Sequence, residues 1–375
     1  MRTFFETIAG AIFILVLTGF TTMPADAARS PEGWRYASGS RHWSFPADHG
    51  SHPDYQTEWW YFTGNVNTAG GRELGYQLTF FRTGLARKAA VPENPWSVRD
   101  LYMAHLAVTD PKGDRFYWTE RASRAGPGLA GAREGQLEVW LRDWNAVWQG
   151  DVITLAARFE EMELDLILTP RKPPVLHGEE GLSVKGPGTG QASWYASITD
   201  IETEGTIKLP GEDMLTVRGD SWFDHEFGSN QLAADQQGWD WFGLHLSDNT
   251  EIMIYRIRRT DGTFELSSSG TFIAADGSWE HLPGSGIDIQ TTGTFKSSRS
   301  GGRYPSGWNI RIPQKEIRID VTPVVKDQEL ATEATAGITY WEGAVKLEGL
   351  TGEKTVTGAG YVELTGYAGG LGGIF

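Results

Sequence analysis

In EMELDLILT (161–169) apolar and charged side chains take turns, with Met162, Leu164, Leu166 and Leu168 on one register and Glu163 and Asp165 on the other. A repeat of two sends these sets to opposite faces of an extended strand, and a helix would scatter them around its axis. The same rhythm returns at 75–83, 101–109, 136–142, 251–258, 309–312, 317–321 and 344–347. Clusters suited to tight turns separate the runs, among them Asn67-Thr68-Ala69-Gly70-Gly71, Asp110-Pro111-Lys112-Gly113, Asp261-Gly262 and Asp276-Gly277. No long stretch repeats at helical spacing. The pattern predicts an all-β protein of many short antiparallel strands.

A chain of 375 residues is long for one small core. When it is slid against itself, WYFTGNVNTAGGRELGYQLTFFRTG (60–84) aligns with WDWFGLHLSDNTEIMIYRIRRTDG (239–262), so that Trp60, Gly64, Tyr76 and Leu78 fall on Trp239, Gly243, Tyr255 and Ile257. Two similar β-domains are expected, over 28–228 and 229–375, divided near GSNQLAADQQG (228–238). Residues 1–27 read as a secretory signal peptide: Arg2, a short apolar run Ile8–Phe20, then the small-residue site Ala25-Asp26-Ala27. That run falls short of the roughly 20 residues a membrane span needs. The mature chain is therefore expected in the periplasm or outside the cell, cleaved near Ala27 and without a transmembrane segment.

The net charge of −15 argues against nucleic acid as a partner, because phosphate backbones are held by basic surfaces. Without cysteine, the exported chain must be held by its core alone. Tryptophan is unusually abundant at 16 residues, and its N–H seeks a partner when buried, which favours half-polar cavities over plain cores. An enclosed apolar ligand is the expectation.

Two motifs carry the chemistry. In TEWWYFTGNV (57–66), alternation puts Glu58, Trp60 and Phe62 on one face and Trp59 and Tyr61 on the other; the face with Glu58 and Trp60 is expected to look into the cavity. In GDSWFDHEFGSN (219–230), Asp224 and Glu226 share one face and His225 takes the other, an acid/base cluster in an apolar setting or, equally, a strand end bonded to backbone. His105 and His245 sit inside alternating strands, where a core histidine bonded to a neighbour is the plainer account. Glu363 and Tyr367 in GAGYVELTGY pose the same choice between a binding group and a paired floor.

Metal and nucleophile chemistry find little support. His225-Glu226 lacks the second histidine of a helical zinc motif, and His42, His49 and His52 read as solvated surface. No serine sits in a G-x-S-x-G elbow, and GPGTG (186–190) lacks the residues that complete a phosphate loop. No cofactor is expected.

With these stretches in view the chain resembles the AttH-like secreted proteins that are grouped with the carotenoid 1,2-hydratases (hydroxyneurosporene synthases). The resemblance rests on HPDYQTEWWYFTGNV (52–66), ELGYQLTFFRTG (73–84), YMAHLAVTD (102–110), VLHGEEGLSVKG (175–186), SWYASITD (193–200), DSWFDHEFG (220–228), GWDWFGLHL (238–246) and GYVELTGY (360–367). It implies two lipocalin-like antiparallel β-barrel domains packed together. It also implies hydration of a C=C bond in an isoprenoid, carotenoid or acyl ligand by acid catalysis, with Asp224 or His225 as the acid and Glu58 orienting the water. Trp60, His105, Tyr195, Trp222, Trp241, Glu363 and Tyr367 are then expected around the ligand. Two departures open alternatives. The leader and the EWWYFTG form suit a periplasmic carrier working with ABC-transporter components, and tryptophans with carboxylates also suit a secreted glycan hydrolase.

Overall fold

The computed structural model describes residues 28–87, 97–229 and 232–371. The leader read in residues 1–27 lies outside them. Among the described residues every strand pairing is antiparallel and no α-helix occurs, only single turns of 3-10 helix such as Ala47–His49 and Pro111–Gly113. Among the described residues no helix is long and apolar enough to cross a membrane.

The strands form two large sheets. The first has 13 strands, and its centre is the run Glu73–Gly84, Thr57–Thr68, Leu215–Gly228, Ala192–Lys208. It curls until Glu138–Leu141 lies against Asp100–Asp110 and Arg115–Arg124, giving a nearly closed barrel. The second has 10 strands around Glu251–Arg259, Gln236–Leu246, Lys354–Leu364 and Ile338–Thr351. All strands of the first sheet end by Gly228, and those of the second begin at Gln236.

Alternation decides which way each side chain looks. In the first sheet Trp60, Phe62, Tyr76, Leu78, Phe80 and Phe223 pack inward into one core. In the second, Phe242, Leu244, Ile252, Ile254, Val345 and Val362 do the same. The opposite faces of these same strands meet each other: Tyr61, Tyr195 and Trp222 pack against Trp241, Tyr255, Ala344 and Tyr361 in a cluster shared by both sheets. Close approach is possible because position 75 is glycine, where a Cβ would come within 2.6 Å of Ala344 Cβ and 2.7 Å of Tyr361 Oη. Polar contacts also cross the seam. Lys172 pairs with Glu251 at 2.7 Å with both side chains buried, and Thr109 donates to Gln328 Oε1 at 2.6 Å.

The strand pairs aligned in the sequence do correspond, but with opposite side-chain parity. Trp60 fills the first core, whereas Trp239 faces the other sheet as Trp59 does. Trp59 and Tyr61 are the structural counterparts of Trp239 and Trp241. Because side chains alternate, a shift of one residue exchanges the faces of a strand.

Candidate active site between the sheets

A cavity of about 940 Å³, counting its open mouth, lies between the sheets and outside either barrel core. Its walls are aromatic, with Trp59, Tyr61, Phe81 and Tyr195 from the first sheet facing Trp239, Trp241, Tyr255 and Tyr340 from the second. The polar lining consists of Gln77, Thr79, Lys185, Asp224, Glu226 and Glu363.

Asp224 sits on Leu215–Gly228, the strand between Thr57–Thr68 and Ala192–Lys208. Its Oδ2 accepts a hydrogen bond from Tyr195 Oη at 2.6 Å, and its Oδ1 accepts from Trp222 Nε1 at 2.5 Å and from Ser197 Oγ. Burial pushes its pKa up to about 7, against the pull of these three donors. The Tyr195 hydroxyl is held in turn by Trp241 Nε1 at 3.0 Å, which ties the second sheet to the carboxyl. Behind Ser197, the buried His177 bridges Ser197 Oγ at 2.7 Å and Thr271 Oγ1 at 2.8 Å. Burial pushes the pKa of His177 down to about 3, so it is neutral.

Glu363 comes from the second sheet. Its Oε2 accepts from Trp239 Nε1 at 2.6 Å. Burial, with the nearby charges of Glu226 and Asp224, lifts its pKa to about 7. Directly across the strand pair lies Glu342, which accepts from Tyr61 Oη at 2.5 Å. Burial first, then the charge of Glu363, raises the Glu342 pKa well above the ordinary carboxyl range. Glu226 is handled differently: Lys185 pairs with it at 3.0 Å and Ser193 donates to it, while the ammonium rests 4.3 Å from the Tyr255 ring centroid. The cavity thus holds two carboxyls, Asp224 and Glu363, that exchange protons near neutrality.

Asp224, Tyr195, Trp241 and Glu363 meet in the cavity, and Trp222 supports Asp224 from beside it. Other expected site residues lie elsewhere. Glu58 and Trp60 were expected to look into the cavity, and they face away from it because Trp59 and Tyr61 occupy that side of the strand. Trp60 donates Nε1 to the His49 carbonyl at 3.0 Å inside the first core. Glu58 is fully enclosed, bonded to Arg82 Nε at 3.0 Å, His225 Nε2 at 3.0 Å and His52 Nδ1 at 3.0 Å. Burial alone would raise its pKa, but the Arg82 charge and the bonds from His225 and His52 outweigh it and hold the carboxyl well below its usual value. His225 stands on the barrel side of its strand, stacked 5.2 Å from Trp60, and is no proton donor to the cavity. His105 lies one layer back, with Nδ1 2.8 Å from Tyr340 Oη. Tyr367 bonds Asp240 at 3.0 Å and carries Arg258 over its ring, away from the lining.

The histidines near the N-terminus also depart from the surface reading, since His49 is fully buried and His52 half-buried, leaving only His42 exposed. The donor atoms of His52, Glu58 and His225 fall within 4.8 Å of one another, a set suited in type to a metal ion. Arg82 already neutralises Glu58, and an Arg41 guanidinium nitrogen lies 2.8 Å from His52 Nε2, so a cation there would meet two positive charges. The set fits an internal ion-pair network better than a metal.

Sequence reasoning passed over Trp59, Tyr61, Gln77, Lys185, Tyr255, Tyr340 and Glu342. The signal for the first two was present in the W-x-W pattern of GWDWFGLHL, had the repeat been aligned on faces. Lys185 and Glu342 gave none, because their partners are distant in the chain.

Comparison with known proteins accords with this architecture. The family model described as AttH-like matches residues 36–367. The crystal structure of an AttH protein from Nitrosomonas europaea superposes with a TM-score of 0.79 at 34% identity, covering 88% of this chain and 99% of that one. Kievitone hydratase from Nectria haematococca shares the fold, with a TM-score of 0.66 at 17% identity over 92% of this chain and 99% of that chain. In sequence, kievitone hydratase from Fusarium solani subsp. phaseoli is 25% identical over 190 residues, 48% of this chain and 53% of the relative. The match therefore spans about half the length of that curated relative.

Proposed function

We propose, from the premise that this chain belongs to the AttH-like family, that it is a hydratase-type enzyme adding water across a C=C bond of a ligand held between its sheets. The observation that carries the reading is that Asp224 and Glu363 both line the cavity, two carboxyls whose pKa values burial has brought to about 7. Near neutral pH the favoured state of such a pair has one proton, which is what general acid and general base catalysis together require.

In this mechanism Asp224 carries the proton on Oδ2, the oxygen with one donor rather than two. It passes the proton to one alkene carbon, and the π electron pair forms the new C–H bond. The adjacent, more substituted carbon is left as a cation. Tyr195, Ser197 and Trp222 already point at Asp224, so its new negative charge needs no rearrangement of donors. The faces of Trp59, Trp239 and Trp241 stabilise the cation. Water then adds through oxygen and gives its extra proton to the Glu363 carboxylate, yielding an alcohol. Proton return from Glu363 to Asp224 restores the starting state.

The ligand is an apolar, unsaturated skeleton of the isoprenoid or acyl kind, and the leader in residues 1–27 directs the protein to the periplasm or beyond. A carrier associated with an exporter would use the same aromatic walls. It would have no use for two buried carboxyls tuned to neutrality, which cost stability to keep. The test is incubation of the protein with a panel of isoprenoid alkenes in heavy-oxygen water. Products heavier by one labelled water, lost in Asp224→Asn while the alkene still binds, support the reading. Binding without product across the panel supports the carrier.

A further inference from the structure

The cavity's own donors are already engaged. Tyr61 donates to Glu342, Tyr195 to Asp224, Trp239 to Glu363, and Trp241 to Tyr195. Lys185, the cationic side chain of the lining, is paired with Glu226. Among the described residues, the lining residue with a buried side-chain atom that has no partner is Gln77, at Oε1. Gln77 is 1% exposed and lines the cavity, and its amide nitrogen is fixed by donation to Thr79 Oγ1 at 2.7 Å, so the bare carbonyl oxygen has a set direction.

A buried amide oxygen left without a partner is costly, and a ligand group that satisfies it recovers that cost. A plain hydrocarbon offers nothing to this oxygen. An ammonium would donate to it but would bury a charge among aromatic walls. A hydroxyl donates without bringing a charge.

We propose that the substrate of this cavity is an unsaturated apolar molecule that also carries a hydroxyl group, anchored by donation to Gln77 Oε1 in the part of the cavity lined by Thr79 and Tyr340. This rests on the cavity being the substrate site, as in the hydratase reading. It narrows the substrate class from hydrocarbon polyenes to alcohols of the same skeleton.

The probe pair is farnesol and farnesyl methyl ether, which share a skeleton and an oxygen acceptor and differ in the donor. Titration calorimetry with the purified protein is expected to show farnesol binding at least about tenfold tighter. Gln77→Leu should abolish that preference and leave the affinity for the ether unchanged. Equal affinity for the two probes, tighter binding of the ether, or no binding of either overturns the proposal. Because binding is read without turnover, the two claims separate. A farnesol preference with no labelled product upholds the anchor and removes the hydratase, and labelled product from an ether bound as well as its alcohol does the reverse.

Discussion

The Tyr61 hydroxyl on the first sheet meets Glu342 Oε1 on the second at 2.5 Å, and both side chains are buried. Replacing Tyr61 with Phe removes the one hydrogen bond that Glu342 receives from a side chain and leaves the carboxyl unsatisfied between the sheets. Tyr61→Phe should lower stability by about 1–3 kcal/mol, read as a shifted urea midpoint. Glu342→Gln keeps an oxygen for the hydroxyl and should cost less than Tyr61→Phe.

Asp224 sets a pH dependence whose sign is fixed. Its folded pKa of about 7 lies above the ordinary value of 3.8, so the native state binds its proton more tightly than the unfolded chain does. Its contribution is most favourable below about pH 4 and is lost as pH rises to about 7, by roughly 1.4 kcal/mol per unit over that window. Asp224→Asn has no proton to lose. Urea midpoints measured from pH 4 to 7 should fall in the wild type relative to the variant, and parallel curves would contradict the assignment.

Glu58 predicts the opposite separation of stability from function. It is the common acceptor for Arg82, His52 and His225 on the barrel side of its strand. Glu58→Gln leaves the buried Arg82 with Asp100 alone as a charged partner, at 3.0 Å. The expected loss is about 3–5 kcal/mol of stability, the range for breaking a buried pair. At a temperature where the variant stays folded, calorimetry should find ligand affinity unaltered, because Glu58 does not reach the cavity. A lost affinity with intact stability would return Glu58 to the site.

What the sequence could say followed from its period of two. Alternation at 161–169 and its companions identified strands that the structure contains, and the family motifs include Asp224, Tyr195, Trp241 and Glu363, which line one cavity. Alternation divides a strand into two faces without naming which is the core. In TEWWYFTGNV both faces are aromatic and both are buried, so composition offered no basis for choosing between Trp60 and Tyr61. The choice is made by curvature: the concave side of the barrel takes Trp60 and Phe62, and the convex side is left for the second sheet. Lys185 with Glu226, and Tyr61 with Glu342, are tertiary pairs that no local pattern announces.

Ser197 offers the sharpest test of Asp224 as the acid. Neutral His177 donates from Nε2 to Ser197 Oγ, whose own proton goes to Asp224 Oδ1. That bond favours the carboxylate, so Ser197→Ala should raise the Asp224 pKa further, by about one unit if the charged hydrogen bond is worth about 1.5 kcal/mol. An acid that must be protonated defines the alkaline limb of the kcat/KM profile, and that limb should move to higher pH by the same amount. His177 touches Asp224 only through its donors, bonding Ser197 and packing 4.3 Å from the Tyr195 ring, so His177→Ala should move the limb in the same direction by less. A merely structural role for the pair would lower the melting temperature and leave the limb in place, because loss of folded protein scales the whole profile without changing the pH at which the acid ionises.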